Sequence, residues 1–261
     1  MADREPLISV LRIHRQQQRT EEPVQDILRK LEEAAKRASV WSSVLIAFDG
    51  ADSPVKDVLV SSKELARIDA KLLPVEPWNF TVPLNAAVIT AQKQARAKKI
   101  VFISVEITVI VEELDRMLGL WETDFLIIGK ALDPHTFESG GKDRELEVQL
   151  TGLTSPWNTF AIWDLSKLAK TGFLSISDTN TAPDQSAIEE VPTISLHQLL
   201  FPSSSRAVLV KFPSEGGWDT RWDDPGRVAW HKSKMTSKNM SAFSHLSELA
   251  LPSAVVKHLS I

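Results

Sequence analysis

The sequence has 261 residues, 43% of them hydrophobic and 25% charged, with a formal net charge of −4, which suits one large α/β domain or a domain with a smaller extension. It contains no cysteine, and this excludes disulfides, thiolate metal sites and cysteine nucleophiles. The negative net charge argues against a general nucleic-acid binder, which needs a strong excess of Lys and Arg.

Short apolar runs alternate with helical patterns along the first half of the chain. The runs predict buried strands at residues 7–13, 43–48, 72–75, 100–105 and 125–129. Apolar residues at helical spacing between them predict helices from residue 24 and at residues 55–68, 84–97 and 111–120. This alternation predicts a mostly parallel central sheet with helices on both faces, which binds ligands beyond the carboxyl ends of its strands.

The pattern changes after Leu132. We predict an exposed turn at residues 138–143, a mobile loop at 175–186, a helix at 187–200 and a strand at 206–212. The tail holds Trp218, Trp222 and Trp230 and a predicted final helix at residues 252–259. We therefore divide the chain into a main domain, residues 1–213, and a Trp-rich carboxyl-terminal extension, residues 214–261, that packs on it.

No stretch of the sequence has the length of a membrane span. The longest apolar stretch, residues 101–111, is interrupted by Glu106 and falls short of the roughly 20 residues that a transmembrane helix needs. The amino terminus carries Asp3, Arg4 and Glu5 before any apolar run, and that run is too short for the apolar region of a secretory signal. We therefore expect a cytoplasmic protein without a transmembrane segment.

Three acidic residues lie where predicted strands end. Asp49 closes the second strand, Asp52 follows it, and Glu106 follows the core of the fourth strand. Carboxylates at this edge of a parallel sheet face the usual ligand crevice. Each also has a purely structural interpretation, namely an Asp-Gly turn for Asp49, a helix N-cap for Asp52 and a solvated loop acid for Glu106.

Three motifs follow one another along these elements. The second strand ends in Phe48-Asp49-Gly50-Ala51-Asp52-Ser53, the third helix contains Leu84-Asn85-Ala86-Ala87, and the fourth strand ends in Ser104-Val105-Glu106. The residues of these motifs, and the order of the motifs along the chain, resemble those of the inverting glycosyltransferases with the A-type fold, family two in particular. The resemblance covers roughly residues 7–200. The resemblance implies an enzyme that moves a sugar from a UDP- or GDP-sugar to the hydroxyl of a glycan, a lipid or a small molecule.

The resemblance also implies roles on the donor side of the site. Asp49, Asp52 and Asn85 match positions that hold the nucleotide, and Ser104 stands where the family has the first acid of its metal-binding Asp-x-Asp. Glu106 stands where the family has the second acid, which contacts the metal. A Glu is a hard oxygen ligand for Mn²⁺ or Mg²⁺, and Ser104 is able to bond ribose or a metal-bound water.

On the acceptor side, the family has an acidic pair that opens a helix. Glu190 matches the catalytic base, with Glu189 as the alternate, although acids also occur at helix starts simply because they complement the dipole. Trp157 falls in the family's acceptor segment and is expected to contact the ligand, whereas Trp163 is expected to pack in the core. In the tail, His231 is implied as a further metal ligand and Lys232 as a diphosphate contact, with a solvated basic stretch as the alternative.

Two rival functions remain open. The altered Ser104-Val105-Glu106 triplet is compatible with a catalytically inactive, glycosyltransferase-like binding or scaffold protein. A nucleotidyltransferase is less well supported, because that family has a glycine-rich loop after the first strand and residues 14–19 here contain no glycine. We therefore predict a metal-assisted, inverting hexosyltransferase.

Overall fold

The computed structural model describes residues 6–13, 24–94, 97–178, 188–213 and 225–261, apart from the side chains of residue 53 and residues 225–236. The strands in these ranges are β1 (Leu7–Ile13), β2 (Ser43–Asp49), β3 (Lys71–Val75), β4 (Lys99–Ile103), β5 (Phe125–Lys130), β6 (Glu145–Gln149), β7 (Phe160–Asp164), β8 (Arg206–Lys211) and β9 (Val255–Ser260). The helices are α1 (Val24–Ala38), α2 (Ser53–Ser61), α3 (Lys63–Arg67), α4 (Val82–Lys93), α5 (Val111–Gly119), α6 (Leu165–Leu168), α7 (Glu190–Leu200) and α8 (Pro225–Glu248).

Within these residues, nine strands form one sheet in the order β3-β2-β1-β4-β7-β5-β8-β9-β6. All neighbouring pairs are parallel except those that involve β6 and β7, which run against the other strands. The predicted α/β class with a mostly parallel sheet is therefore confirmed. The chain passes from β1 outward to β3 and returns to the other side of β1 at β4, so the strand order reverses between β1 and β4.

Each face of the sheet carries its own hydrophobic core. On one face, α1 contributes Leu31 and α5 contributes Leu114 and Met117. On the other face, α4, α6, α7 and α8 cover the strands, with Val191 of α7 and Ala242 of α8 among the buried side chains. Because strands covered on both faces need apolar residues throughout, this arrangement accounts for the continuous apolar runs of β1, β2, β4 and β5.

Two helix predictions differ from the structure. The predicted helix at 55–68 is broken at Ser62, which ends α2 and caps α3 by accepting a hydrogen bond from Leu65 N at 3.1 Å. The predicted final helix at 252–259 is wrong, because these residues contain β9, which pairs with β8 and β6 inside the sheet. The last strand of the predicted extension is therefore part of the central sheet.

Four further elements, β6, β7, α6 and α8, were not predicted from the sequence. Residues 175–178 of the predicted mobile loop form a 3₁₀ turn, while residues 179–187 lie outside the described ranges, as do Trp218 and Trp222. A search of the described helices for one with the length and hydropathy to cross a membrane finds none.

Candidate functional site

The carboxyl ends of four parallel strands lie at one edge of the sheet, with Asp49 at the end of β2 and Ser104 directly after β4. β1, β2, β3 and β4 end here at Ile13, Asp49, Val75 and Ile103. β7 starts at the same edge, since Phe160 pairs with Ile103. Ligands of such sheets bind where the strand order reverses, here between β1 and β4.

An acidic pair at the start of α7 reaches this edge through Asn158. The Asn158 backbone N–H donates to Glu190 Oε1 at 2.6 Å, and its Nδ2 donates to Glu189 Oε1 at 3.2 Å. Trp163 Nε1 donates to Asn158 Oδ1 at 2.8 Å, which fixes the orientation of the amide. All four side chains are buried. Asn158 therefore holds the two carboxylates together away from water, Glu190 through its backbone N–H and Glu189 through its side-chain amide.

Burial and the adjacent Glu189 carboxylate raise the pKa of Glu190 to about 7, against the opposing effects of Lys238 and of the Asn158 N–H. Glu190 is 3% exposed, and its Oε2 is buried without a hydrogen-bond partner among the described residues. Buried polar atoms are nearly always paired, and exceptions concentrate at functional sites. A carboxylate that changes charge near neutral pH is suited to general base catalysis.

The raised pKa of Glu190 predicts a pH-dependent stability difference between the wild type and Glu190→Gln. In the unfolded chain the Glu190 carboxyl loses its proton near its ordinary pKa of 4.5, whereas the folded protein keeps this proton to about pH 7. Wild-type stability therefore falls as pH rises between these values, by about 3 kcal/mol at ~1.4 kcal/mol per unit. The glutamine variant lacks this loss, so denaturant titrations should show its relative stability increasing from pH 4.5 to 7.5. A difference that stays constant with pH contradicts the shifted pKa.

Two basic side chains that the sequence analysis missed face the acidic pair. Arg12, next to the end of β1, places Nη2 3.7 Å from Glu189 Oε1. Lys238 of α8 is 8% exposed, and its pKa is lowered by burial while both carboxylates oppose this shift. Arg12 is recognisable in the sequence as the one charged residue in an apolar strand. No local pattern marks Lys238, because its place depends on how α8 packs.

Lys238 is positioned by a close approach between α8 and Gly152. A Cβ on Gly152 would lie 2.4 Å from the backbone carbonyl carbon and oxygen of Lys238. Gly152 O also accepts a hydrogen bond from Trp157 Nε1 at 2.8 Å, and Lys238 Nζ lies 4.3 Å from the Trp157 ring centroid. Gly152 therefore allows α8 to approach closely enough to bring Lys238 to the acidic pair.

We expect Gly152→Ala to displace α8 and to lower the free energy of unfolding by about 1–3 kcal/mol, the usual cost of overpacking. The control is Gly119→Ala, because a Cβ on Gly119 meets nothing within 4 Å and alanine is the better helix former by up to about 1 kcal/mol. Urea denaturation of both variants tests this. Equal stability of the two variants contradicts the proposed contact.

Trp157 and Asn85, both predicted to contact the ligand, also make contacts inside the protein. Trp157 is 2% exposed, and its ring stacks on His135 with the centroids 3.5 Å apart. Asn85 uses both ends of its amide on Phe173, accepting from the backbone N at 2.7 Å and donating to the backbone O at 2.9 Å. Both side chains therefore have a role in the fold, and their contact with a ligand stays a prediction. Trp163 is fully buried, as expected.

Asp49 and Asp52 lie at the carboxyl edge and also make local hydrogen bonds. Asp49 Oδ1 accepts from Ala51 N at 3.0 Å, which forms the turn after β2. Asp52 is the N-cap of α2 and accepts from Val55 N at 3.3 Å. The turn role of Asp49 uses one carboxylate oxygen and is compatible with a ligand contact through the other.

Ser104 and Glu106 form a tight turn directly after β4. Ser104 N donates to Thr159 O at 2.8 Å, and Glu106 N donates to Ser104 Oγ at 3.3 Å. Thr159 is the residue after Asn158, so this turn adjoins the segment that holds the acidic pair. Glu106 itself is half-buried.

The described residues contain no group of three or more His, Asp or Glu side chains placed to hold a metal ion. Mg²⁺ and similar cations are commonly held by one or two carboxylates together with phosphate oxygens of the substrate. The half-buried Glu106 beside Ser104 fits that minimal arrangement and does not fit a preformed metal centre. His231 and Lys232 lie within α8, but their side chains are outside the description.

The fold has counterparts among solved structures. A mannosyltransferase from Pyrobaculum calidifontis, solved with GDP-Man and Mn²⁺, matches 96% of this chain and 67% of its own, with a TM-score of 0.56 and 14% identity. A mycobacterial protein matches 98% of this chain and 85% of its own, with a TM-score of 0.52 and 8% identity. No protein-family model and no curated protein matches the sequence. At these identities the likeness shows the fold alone, and the chain shares its overall fold with this mannosyltransferase.

Proposed function

We propose that this protein is an inverting glycosyltransferase that moves a sugar from a nucleotide diphosphate donor to a hydroxyl acceptor. The observation that carries the proposal is Glu190, a buried carboxylate at the carboxyl edge of the sheet, with a pKa raised to about 7 and an oxygen without a partner in the described part of the chain. A cysteine-free chain suits a reducing compartment, and we propose the cytoplasm.

In the proposed reaction, Glu190 accepts the proton of the acceptor hydroxyl while that oxygen attacks the anomeric carbon of the donor. The bond from this carbon to the diphosphate breaks on the opposite face, and the diphosphate leaves with the bonding electrons. Asn158 holds Glu190 and Glu189 in place. Burial and, second to it, the charge of Glu189 keep the pKa of Glu190 high, which makes Glu190 the better base and Glu189 the alternate.

On the donor side, Asp49 and Asp52 contact the nucleoside, and Ser104 contacts ribose or a metal-bound water. Glu106 would help to hold a Mn²⁺ or Mg²⁺ ion, and this ion would supply charge stabilisation for the departing diphosphate. His231 and Lys232 are proposed as further contacts to this ion and to the diphosphate. The mannosyltransferase solved with GDP-Man and Mn²⁺ supports testing these two ligands first.

Calorimetric titration with UDP, UDP-glucose and GDP-mannose in the presence of Mn²⁺ tests the proposal. We expect the wild type to bind at least one of them and Glu106→Ala to bind it more weakly only when the metal is present. The matched control is Glu112→Ala, an acid in the first turn of α5. If no nucleotide binds with the metal present, the proposal is wrong.

A non-catalytic binding protein is the second candidate, favoured by Ser104 in place of an acid and by the lack of a three-ligand cluster in the described residues. Both functions predict nucleotide binding, so turnover separates them. Release of free sugar or transfer to an acceptor library supports the enzyme. Tight binding without either reaction supports the binding protein.

A further inference from the structure

We propose that Arg12 binds the diphosphate of the donor, so that part of the charge compensation in this site comes from the chain itself and not from a metal ion. The inference rests on the proposed function and adds to it the group that recognises the diphosphate. None of the motifs that resemble the glycosyltransferases contains Arg12.

Arg12 lies beside the point where the strand order of the sheet reverses. Arg12 is the penultimate residue of β1, and Ser104 and Glu106 follow the end of β4, the neighbouring strand. The strand order reverses between these two strands, and there the crevice of an open α/β sheet opens. Arg12 and Glu106 therefore lie at the ends of the two neighbouring strands between which a ligand is expected to bind.

The charges around this crevice affect the binding of a diphosphate. Glu106, Glu189 and Glu190 are acidic, and a diphosphate brought beside them is repelled unless cations balance its charge. Of the two basic residues at the acidic pair, Lys238 is 8% exposed and lies over the Trp157 ring. The Arg12 side chain is 30% exposed. Arg12 is thus the cation of this pair that a ligand is able to reach from solvent.

The Arg12 guanidinium makes only long contacts to the described residues. Its two contacts to described residues are long, 3.7 Å from Nη2 to Glu189 Oε1 and 3.4 Å from Nη1 to Phe80 O. A guanidinium has five donors in a planar fork that matches phosphate oxygens. Glu189 holds this fork at the crevice without engaging it tightly, so Arg12 is oriented for a stronger acceptor.

The test compares nucleoside diphosphate with nucleoside monophosphate, using GDP and GMP or UDP and UMP according to which base the wild type binds. Calorimetry is run with Mn²⁺ and, separately, with EDTA, on the wild type, Arg12→Gln and Arg12→Lys. Arg29→Gln is the matched control, because Arg29 lies on the exposed surface of α1, paired with Glu33 at 3.0 Å. Arg12→Gln removes the cation beside Glu189, and this change alone could disturb folding. The double variant Arg12→Gln/Glu189→Gln removes both charges, keeps the net charge of the protein and so controls for a folding defect.

We expect Arg12→Gln to weaken diphosphate binding by about tenfold to a hundredfold, the range of a hydrogen bond to a charged group. Monophosphate binding should change less, Arg12→Lys should retain part of the affinity, and the wild type should keep measurable diphosphate binding in EDTA. Suppose that the wild type binds the diphosphate. If Arg12→Gln and the double variant bind it as tightly as the wild type, or lose as much affinity for the monophosphate as for the diphosphate, this inference is wrong while the proposed function stands. If the wild type binds no nucleotide in either buffer, the proposed function itself is wrong.

Discussion

Glu190→Gln is expected to slow sugar transfer by about 10²–10⁴ while the donor still binds. Glutamine keeps the oxygen that accepts from Asn158 N but has no carboxylate to take the proton of the acceptor hydroxyl. General base catalysis contributes a factor of about 10²–10⁴ to the rate. We therefore expect kcat to decrease by a factor in this range and the Kd for the donor to change little. Steady-state assays with the donor identified by calorimetry provide the measurement.

The neighbouring acid supplies an internal comparison. Glu189→Gln removes the charge that raises the pKa of Glu190 and also the charge that faces Arg12. We expect this variant to keep substantial activity and to shift the pH profile of kcat to lower pH. Glu33→Gln, an exposed acid on α1, controls for the substitution itself. If Glu189→Gln abolishes transfer and Glu190→Gln does not, the roles of the two acids are reversed.

The sequence predicts the parallel part of the sheet well because its strands are buried on both faces. β1, β2, β4 and β5 are almost continuously apolar, so each is recognisable in isolation. The location of the candidate site follows from the same pattern, because acids at strand ends of a parallel sheet share one edge. The acidic pair at Glu189 and Glu190 also lies at the edge where the proposal requires it.

The elements that the sequence did not predict depend on tertiary contacts. β6 is exposed on alternate residues and is paired at the edge of the sheet. β9 has the sequence VVKHLS, too short for its period to separate helix from strand, and its pairing with β8 and β6 decides the outcome. Asn158, Arg12 and Lys238 join the site through distant contacts, which no spacing along the chain reveals.

A second large effect is expected outside the proposed site, at a buried ion pair between β5 and α5. Lys130 Nζ lies 2.6 and 2.8 Å from the two carboxylate oxygens of Glu113, and the side chains are 3% and 6% exposed. Removal of one partner leaves the other charge buried without its counter-ion. We therefore expect Lys130→Met to lower the free energy of unfolding by about 3–5 kcal/mol, measured by urea denaturation.

The double variant Lys130→Met/Glu113→Leu shows why Lys130→Met loses stability. It separates the loss of the ion pair itself from the cost of leaving the Glu113 charge buried without Lys130. Desolvation of two charges offsets most of their attraction, so an apolar replacement of both is often neutral or stabilising. We expect the double variant to recover most of the stability that Lys130→Met loses. A double variant as unstable as the single one indicates that Lys130 acts through other contacts, such as the Phe212 ring 5.9 Å from its Nζ. Because Lys130 ends β5 at the carboxyl edge of the sheet, loss of nucleotide binding at unchanged stability contradicts a purely structural role.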